Sequence, residues 1–176
     1  MMIANFTEEE MARLPVSFAL PTELKIKIAD AVTLFGRIEG IIIETLWVIQ
    51  QADLPAKKKI ARTNAKEGLL KLEAYFTPPD EMGIGKARIW RLAAELAEER
   101  NLIAHGSWFV DAGGAAGVVW HSRFLESENF VGAELFPDWR FKRFMKRAQF
   151  ILEEFTHIRG ILDPVPDADA LTPTGN

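Results

Sequence analysis

A long helical pattern that begins near Gly85 ends within the stretch Glu99-Arg100-Asn101-Leu102-Ile103-Ala104-His105-Gly106-Ser107-Trp108. On a helix that turns about 100° per residue, the apolar side chains of this region form one continuous arc, and Arg100 falls in the middle of it. A guanidinium keeps its proton, so at such a position it requires an anion, either a carboxylate or a bound phosphate. The arc consists of Ile89, Trp90, Leu92, Ala93, Leu96, Ala97, Ile103 and Ala104.

Two further polar residues lie at the edge of this arc. Asn101 and His105 are four positions apart and therefore share one face of the helix, with Glu98 one turn before them. Gly106 occupies the place of a helix C-cap glycine, which puts His105 at the helix end. An Arg, an amide and an imidazole are thus predicted to converge there, and we take Arg100, Asn101 and His105 as the candidate site.

The composition is that of an ordinary globular chain. Its 176 residues suit one domain, and 48% are apolar and 26% charged, with a net charge of −4. The absence of cysteine excludes disulfides, thiol nucleophiles and thiolate metal sites. We see no metal-ligand spacing among the His, Asp and Glu residues, and predict neither a metal nor a cofactor.

Targeting and membrane signals are also missing from the sequence. The residues 1–10 are acidic and lack an apolar signal core, and the longest apolar run, Ile38 to Ile49, contains Glu39 and Glu44. That run is too short to span a bilayer, so we expect a cytoplasmic protein without a membrane partner.

Local signals divide the chain into helices and one hairpin. Capping residues, prolines and glycines mark the ends of each element. We expect a single domain over residues 1–162 and a disordered tail over 163–176, which contains three prolines. The predicted elements are a short helix from Thr7 to before Pro15, helices from Thr22 to about Gln51 and from Asp53 to Thr77, the helix that ends at His105, a hairpin of Ser107–Asp111 and Gly117–Arg123, and a last helix from Pro137.

The helix from Thr22 is apolar nearly all round in its second half, which suggests a place at the centre of a bundle or of a dimer. This helix is the first of the long ones, and we number it α1. Four of its residues recur at spacings of four, three and four, and we call them the α1 stripe: Thr33, Arg37, Gly40 and Glu44. The stripe is either a polar seam at a subunit contact or part of a site. We predict a homodimer with this helix, or the helix of Arg100, at the interface.

Two segments are basic. The first begins with Lys57, Lys58 and Lys59, and its side chains either form a solvated face or bind a polyanion. The second lies at the start of the last helix, where positive charge opposes the helix dipole, so these side chains either bind an anionic partner or form a solvated face. It consists of Arg140, Lys142, Arg143, Lys146 and Arg147, which we take as candidate RNA-binding residues.

The segment from Arg100 to His105 resembles the signature of the HEPN family. That signature is an Arg followed, after four to six residues, by a His near the C-terminal end of a helix, and a polar residue commonly follows the Arg. Here four residues intervene and Asn101 is the polar one. The resemblance extends over residues 22–160, although only the motif is specific and the hairpin lies outside the common helical core.

The resemblance implies an all-α fold, an up-and-down bundle of four or five helices, here with a short β-hairpin insert. It also implies a homodimer in which two motifs face each other, and metal-independent endonucleolytic cleavage of RNA. His105 would then act as general base or acid, Arg100 would stabilise charge on the phosphoryl group, and Asn101 would orient the imidazole or phosphate.

Two alternatives remain open from the sequence. Many HEPN-like chains are non-catalytic modules that bind nucleotides or proteins, among them helical partners of toxin–antitoxin pairs and of small nucleotidyltransferases. A cognate antitoxin or a nucleotidyltransferase is therefore a second kind of expected partner. Alternatively, Arg100 forms a structural salt bridge with Glu44 or Glu39.

Overall fold

The computed structural model describes residues 4–7, 16–76, 83–121 and 130–162. These residues form five helices and five strands, and the predicted tail at 163–176 lies outside them. The helices are α1 (Thr22–Ile49), α2 (Leu54–Ile60), α3 (Ala65–Tyr75), α4 (Gly83–His105) and α5 (Asp138–Leu162), and the strands are β1 (Ala4–Thr7), β2 (Val16–Ser17), β3 (Ser107–Asp111), β4 (Ala116–His121) and β5 (Phe130–Leu135).

Helix α1 lies at the centre of the helical layer. It packs most extensively against α5 and also contacts α2, α3 and α4. Phe35, Ile38, Ile42 and Leu46 recur at helical spacing and are almost completely buried. Each such side chain contributes about 1.5–3 kcal/mol on leaving water, so this face holds the helices together.

The predicted helix from Asp53 to Thr77 is divided into α2 and α3. The Asp53 carboxylate accepts a 2.9 Å hydrogen bond from the Ala56 amide, as its capping position predicts. Asn64 caps α3 in the same way through the Glu67 amide at 2.9 Å. The Glu67 amide lies in the first turn of α3, where amides have no partner within the helix. Its bond to Asn64 therefore marks the start of a separate helix after α2 has ended.

The predicted hairpin is confirmed, but the sheet is larger than two strands. Trp108 of β3 faces Val118 of β4, and the antiparallel order of the whole sheet is β1-β5-β4-β3-β2. Thr7, which was predicted to open a helix, is the last residue of β1, and residues 8–15 lie outside the described part. The described chain is thus mostly helical with a small sheet, rather than all-helical with one hairpin.

An aromatic cluster joins the sheet to the helices at the end of α4. The Trp108 ring lies 5.1 Å from that of Phe136 and 5.4 Å from that of Phe141, and its Nε1 donates to the Ile103 carbonyl at 3.0 Å. A Cβ added at Gly106 would lie 2.1 Å from Val118 Cγ2. Gly106 is therefore required by the close approach of β4, and the end of α4 is fixed against the sheet.

None of the helices within the described residues is long and apolar enough to cross a membrane.

Candidate functional site

The last turns of α4 carry the three residues of the predicted motif in different environments. Asn101 and His105 are exposed, and Arg100 is half-buried. Asn101 and His105 lie one turn apart on the same face, as their spacing predicts. An imidazole at this place is open to a ligand, whereas the stem of Arg100 belongs to the packing between helices.

Arg100 lies against α1. Its Nη2 is 3.4 Å from Oε2 of Glu39, and its guanidinium carbon is 5.9 Å from the centre of the Phe35 ring. Its Nη1 donates a 3.2 Å hydrogen bond to Oδ1 of Asn101, whereas its buried Nε has no hydrogen-bond partner among the described residues. Of the two carboxylates that were considered as partners of Arg100, Glu39 is the one that contacts it.

The Asn101 hydrogen bond brings the guanidinium toward the exposed face of α4. Arg100 and His105 are five positions apart, which turns them about 140° from each other around the helix axis. The long Arg100 side chain reaches back to Asn101, whose own face also carries His105. Asn101 therefore contacts the guanidinium and shares one face of α4 with the imidazole.

Arg140, which was predicted to bind RNA, does not lie on the surface. It is buried, and it donates from Nε to Glu99 at 2.6 Å and from Nη1 to Glu134 at 2.7 Å. Its guanidinium also lies 4.2 Å from the centre of the Phe136 ring. Two carboxylates already satisfy this cation, so we remove Arg140 from the candidate RNA-binding residues.

A signal for the burial of Arg140 is present in the sequence. Arg140 precedes Phe144 by four residues and Ala148 by eight, so it falls on the apolar stripe of α5. This is the same argument that identified Arg100 on α4. Applied to α5, helical periodicity places Arg140 on the buried face and so distinguishes it from the other basic residues of the segment.

Lys142 is exposed but pairs within its own helix. Its ammonium lies 2.9 Å from Asp138, and Lys27 of α1 approaches the same carboxylate at 2.6 Å. Hydrogen bonds from Lys142 and Lys27 lower the pKa of Asp138 from 3.8 to about 2. The same carboxylate raises the pKa of Lys142. Lys142 is thus engaged in an exposed ion-pair cluster at the start of α5.

The remaining basic residues line a groove between α4 and α5. Its volume is about 1120 Å³, and Arg88 and Arg91 of α4 face it together with Arg143, Lys146 and Arg147 of α5. Ile89, Leu92 and Phe150 supply apolar lining, and Glu95 and Glu153 are its acidic residues. We call this the α4–α5 groove.

The sequence did not reveal that Arg88 and Arg91 belong to this site. They lie more than 50 residues before the basic residues of α5 that line the groove, and no local pattern links the two.

The motif and the groove lie at different places along α4. Arg91 precedes His105 by 14 residues, which corresponds to about 21 Å along a helix. His105 does not line the groove. Arg91 is thus far from His105, whereas Arg143 at the other end of the groove contacts Glu99, the residue before Arg100.

Within the described residues, no group of three or more His, Asp and Glu side chains is arranged to hold a metal ion.

No protein-family model matches this chain, and neither a curated protein nor a solved structure is significantly similar to it. The likeness to the HEPN family therefore rests on the residues from Arg100 to His105 and on their position at the end of a helix.

Proposed function

We propose that this chain is a metal-independent RNA endonuclease with a HEPN-like Arg/His site that is completed in a homodimer. One observation carries the proposal. The last turn of α4 exposes Asn101 and His105, while the guanidinium of Arg100 is hydrogen-bonded to Asn101 at 3.2 Å. A cation, an amide and an imidazole at one helix end match the needs of phosphoryl transfer.

Arg100 and Arg140 differ in a way that supports this function. Arg140 makes two hydrogen bonds of 2.6 and 2.7 Å to carboxylates, which is short even for charge-assisted contacts. Arg100 makes one contact of 3.4 Å to Glu39 and one hydrogen bond of 3.2 Å to Asn101, and each of its two Nη atoms carries a second hydrogen. Arg100 therefore retains donors for an anion, as a phosphate-binding residue requires.

The proposed reaction needs no protein nucleophile. The substrate 2′-OH attacks the adjacent phosphorus, the bond to the 5′-oxygen breaks, and a 2′,3′-cyclic phosphate and a free 5′-OH are formed. One His105 accepts the 2′-OH proton, and His105 of the second copy donates a proton to the leaving oxygen. Arg100 stabilises the charge that develops on the phosphoryl oxygens.

The α1 stripe supports the homodimer. Thr33, Arg37 and Glu44 are exposed, and a Cβ added at Gly40 would meet nothing within 4 Å. Helix α1 therefore presents a surface that a second backbone can approach closely. Because Glu39, the neighbour of Gly40, contacts Arg100, a partner on this surface would lie beside the motif.

A specific observation favours a second function. Since Glu39 already provides a carboxylate for Arg100, the pair also suits a non-catalytic HEPN-like module that binds nucleotides or proteins. A cognate antitoxin or a nucleotidyltransferase would then be its partner. In that case Arg100 contributes to architecture, and substitution of His105 leaves the function of the protein unchanged.

The test is an RNA-cleavage assay in EDTA with single-stranded RNA and DNA of the same sequence. The proposal expects RNA cleavage with a cyclic-phosphate end, intact DNA, and no cleavage by His105→Ala at unchanged thermal stability. His157→Ala is the matched control, because His157 is exposed on α5 away from the motif. Absent RNA cleavage, cleavage of DNA as well, or loss of activity in EDTA would contradict the proposal.

A further inference from the structure

Two exposed aromatic side chains flank two arginines along one side of α5. Trp139, Arg143, Arg147 and Phe150 follow one another at spacings of four, four and three. Trp139 and Phe150 are unusually exposed for such rings, at 59% and 45%. The guanidinium of Arg143 lies 5.0 Å from the centre of the Trp139 ring, which holds both side chains on this face.

The cations of the α4–α5 groove exceed its anions. Arg147 faces Glu95 at 3.6 Å and Arg143 faces Glu99 at 3.7 Å. Arg88, Arg91 and Lys146 form no ion pair with any residue whose side chain the structure describes. Like charges one turn apart on a helix repel each other, so an anionic ligand would reduce the repulsion among these cations. The excess of positive charge is local, because the net charge of the whole chain is −4.

The groove has the length of a short single strand. Helices α4 and α5 run antiparallel, since Glu99 contacts Arg140 and Glu95 contacts Arg147. From Trp139 to Phe150 the stripe spans about 16 Å. This holds a few nucleotides, whereas one turn of duplex occupies about 34 Å.

We propose that the α4–α5 groove binds single-stranded nucleic acid, with phosphates on its Arg and Lys side chains and bases stacked on Phe150 within the groove and on Trp139, which lies beside Arg143 just beyond the groove lining. Stacked rings with nearby cations are the common way in which proteins hold single strands without reading their sequence. Phosphate contacts and base stacking do not depend on the 2′-OH, so we expect RNA and DNA to bind alike. Binding is in this respect distinct from the proposed cleavage, which requires RNA.

The strand bound in the groove would continue toward His105, and this step of the inference rests on the proposed function. Trp139 precedes Arg140, whose partner Glu99 lies six residues before His105. This corresponds to about 9 Å along α4. A strand that leaves the groove at Trp139 is thus delivered near the exposed imidazole.

The experiment is fluorescence anisotropy in EDTA with labelled dT12, U12 and a 12-base-pair duplex, using the His105→Ala protein so that RNA stays intact. Both single strands should bind with affinities within about threefold of each other, and more tightly than the duplex. Trp139→Ala and Phe150→Ala should each weaken dT12 binding at least about fivefold. Arg88→Gln with Arg91→Gln should reduce the slope of log affinity against log salt by about 1.4.

Lys58→Gln with Lys59→Gln is the matched control, because it removes the same charge from the exposed face of α2. These two changes should alter dT12 affinity less than twofold, and thermal melts should show that every variant is folded. Preference for the duplex, absence of dT12 binding, or an equal loss in the control would overturn the proposal. Because DNA binding is measured without cleavage, dT12 binding by a protein that cuts no RNA would support the groove while contradicting the nuclease.

Discussion

Nε of Arg140 donates a 2.6 Å hydrogen bond to Oε1 of Glu99, so the residue before Arg100 is fixed to α5 inside the fold. The same guanidinium donates to Glu134 of β5 at 2.7 Å. One side chain thereby links the motif helix, the sheet and the last helix. The orientation of the last turn of α4 depends on this buried cation.

Arg140→Met should destabilise the protein by about 3–5 kcal/mol, because it leaves the buried carboxylate of Glu134 without its cation and leaves Glu99 with only the 3.7 Å contact to Arg143. The measurement is the free energy of unfolding in urea. Lys142→Met is the matched control on an exposed position and should change it by less than about 0.5 kcal/mol. A loss below 1 kcal/mol for Arg140→Met would show that water reaches these carboxylates.

Arg100→Ala should abolish RNA cleavage and lower the free energy of unfolding by only about 1 kcal/mol, because its ion pair with Glu39 is long and partly solvated. Glu39→Gln should keep the fold and leave Arg100 more available to phosphate. The urea melts and the cleavage assay are made on the same preparations. A loss of 3–5 kcal/mol in Arg100→Ala, together with full activity of His105→Ala, would assign the motif to architecture.

Gly40→Leu should leave the monomer folded and dissociate the homodimer. The space around a Cβ at position 40 is open, and Leu is a better helix former than Gly, so the monomer tolerates the change. A side chain there prevents the close approach of a second helix. Light scattering at micromolar concentration reports the oligomeric state.

Gly40→Ala serves as the graded comparison and should stabilise the monomer by about 0.5–1 kcal/mol. If the wild-type chain is already monomeric, the composite site is excluded. If both variants remain dimeric with unchanged affinity, the interface does not include the α1 stripe.

Asp138→Asn should lower the melting temperature at pH 7, and the difference from the wild type should vanish as the pH falls from about 4 to 2. The pKa of Asp138 is lowered to about 2 in the folded protein by its hydrogen bonds with Lys142 and Lys27, against 3.8 ordinarily. A lowered pKa stabilises the fold above the unfolded value, and this contribution is lost below the folded one.

Asp30→Asn is the control for this titration, since Asp30 is an exposed carboxylate of α1. Its melting temperature should follow that of the wild type across the whole range. A difference between Asp138→Asn and the wild type that persists at pH 2 would show that the charge of Asp138 is not its source.

The three long helices α1, α4 and α5 and the hairpin were predictable because their signals are local. Asp53 caps the amide three residues later, and Gly106 ends α4 within one turn of His105. The other three strands were missed for the opposite reason. Strand β1 has only four residues, and its partner β5 lies more than 120 residues further along the chain, so no short window of sequence contains the pair.

The position of Arg100 was predictable because its signal lies within one helix. The periodicity of α4 placed Arg100 on the apolar arc, where it requires an anion, and Glu39 was one of the two carboxylates considered as its partner. Arg140 was misplaced because its partners Glu99 and Glu134 lie on two other elements. Arg88 and Arg91 join the α5 cations only through the packing of α4 on α5, which spacing along the chain does not reveal.

The sheet has its first-synthesised strands at both edges. Strand β1 pairs with β5 and β2 pairs with β3, so residues 4–7 and 16–17 border three inner strands that leave the ribosome about a hundred residues later. Contacts this distant in sequence close slowly, whereas the helices form from neighbouring residues. During synthesis, β1 and β2 are therefore without partners until β3 and β5 have been made. Removal of the first 17 residues would leave the outer edges of β3 and β5 unpaired in the finished protein and make it prone to edge-to-edge aggregation.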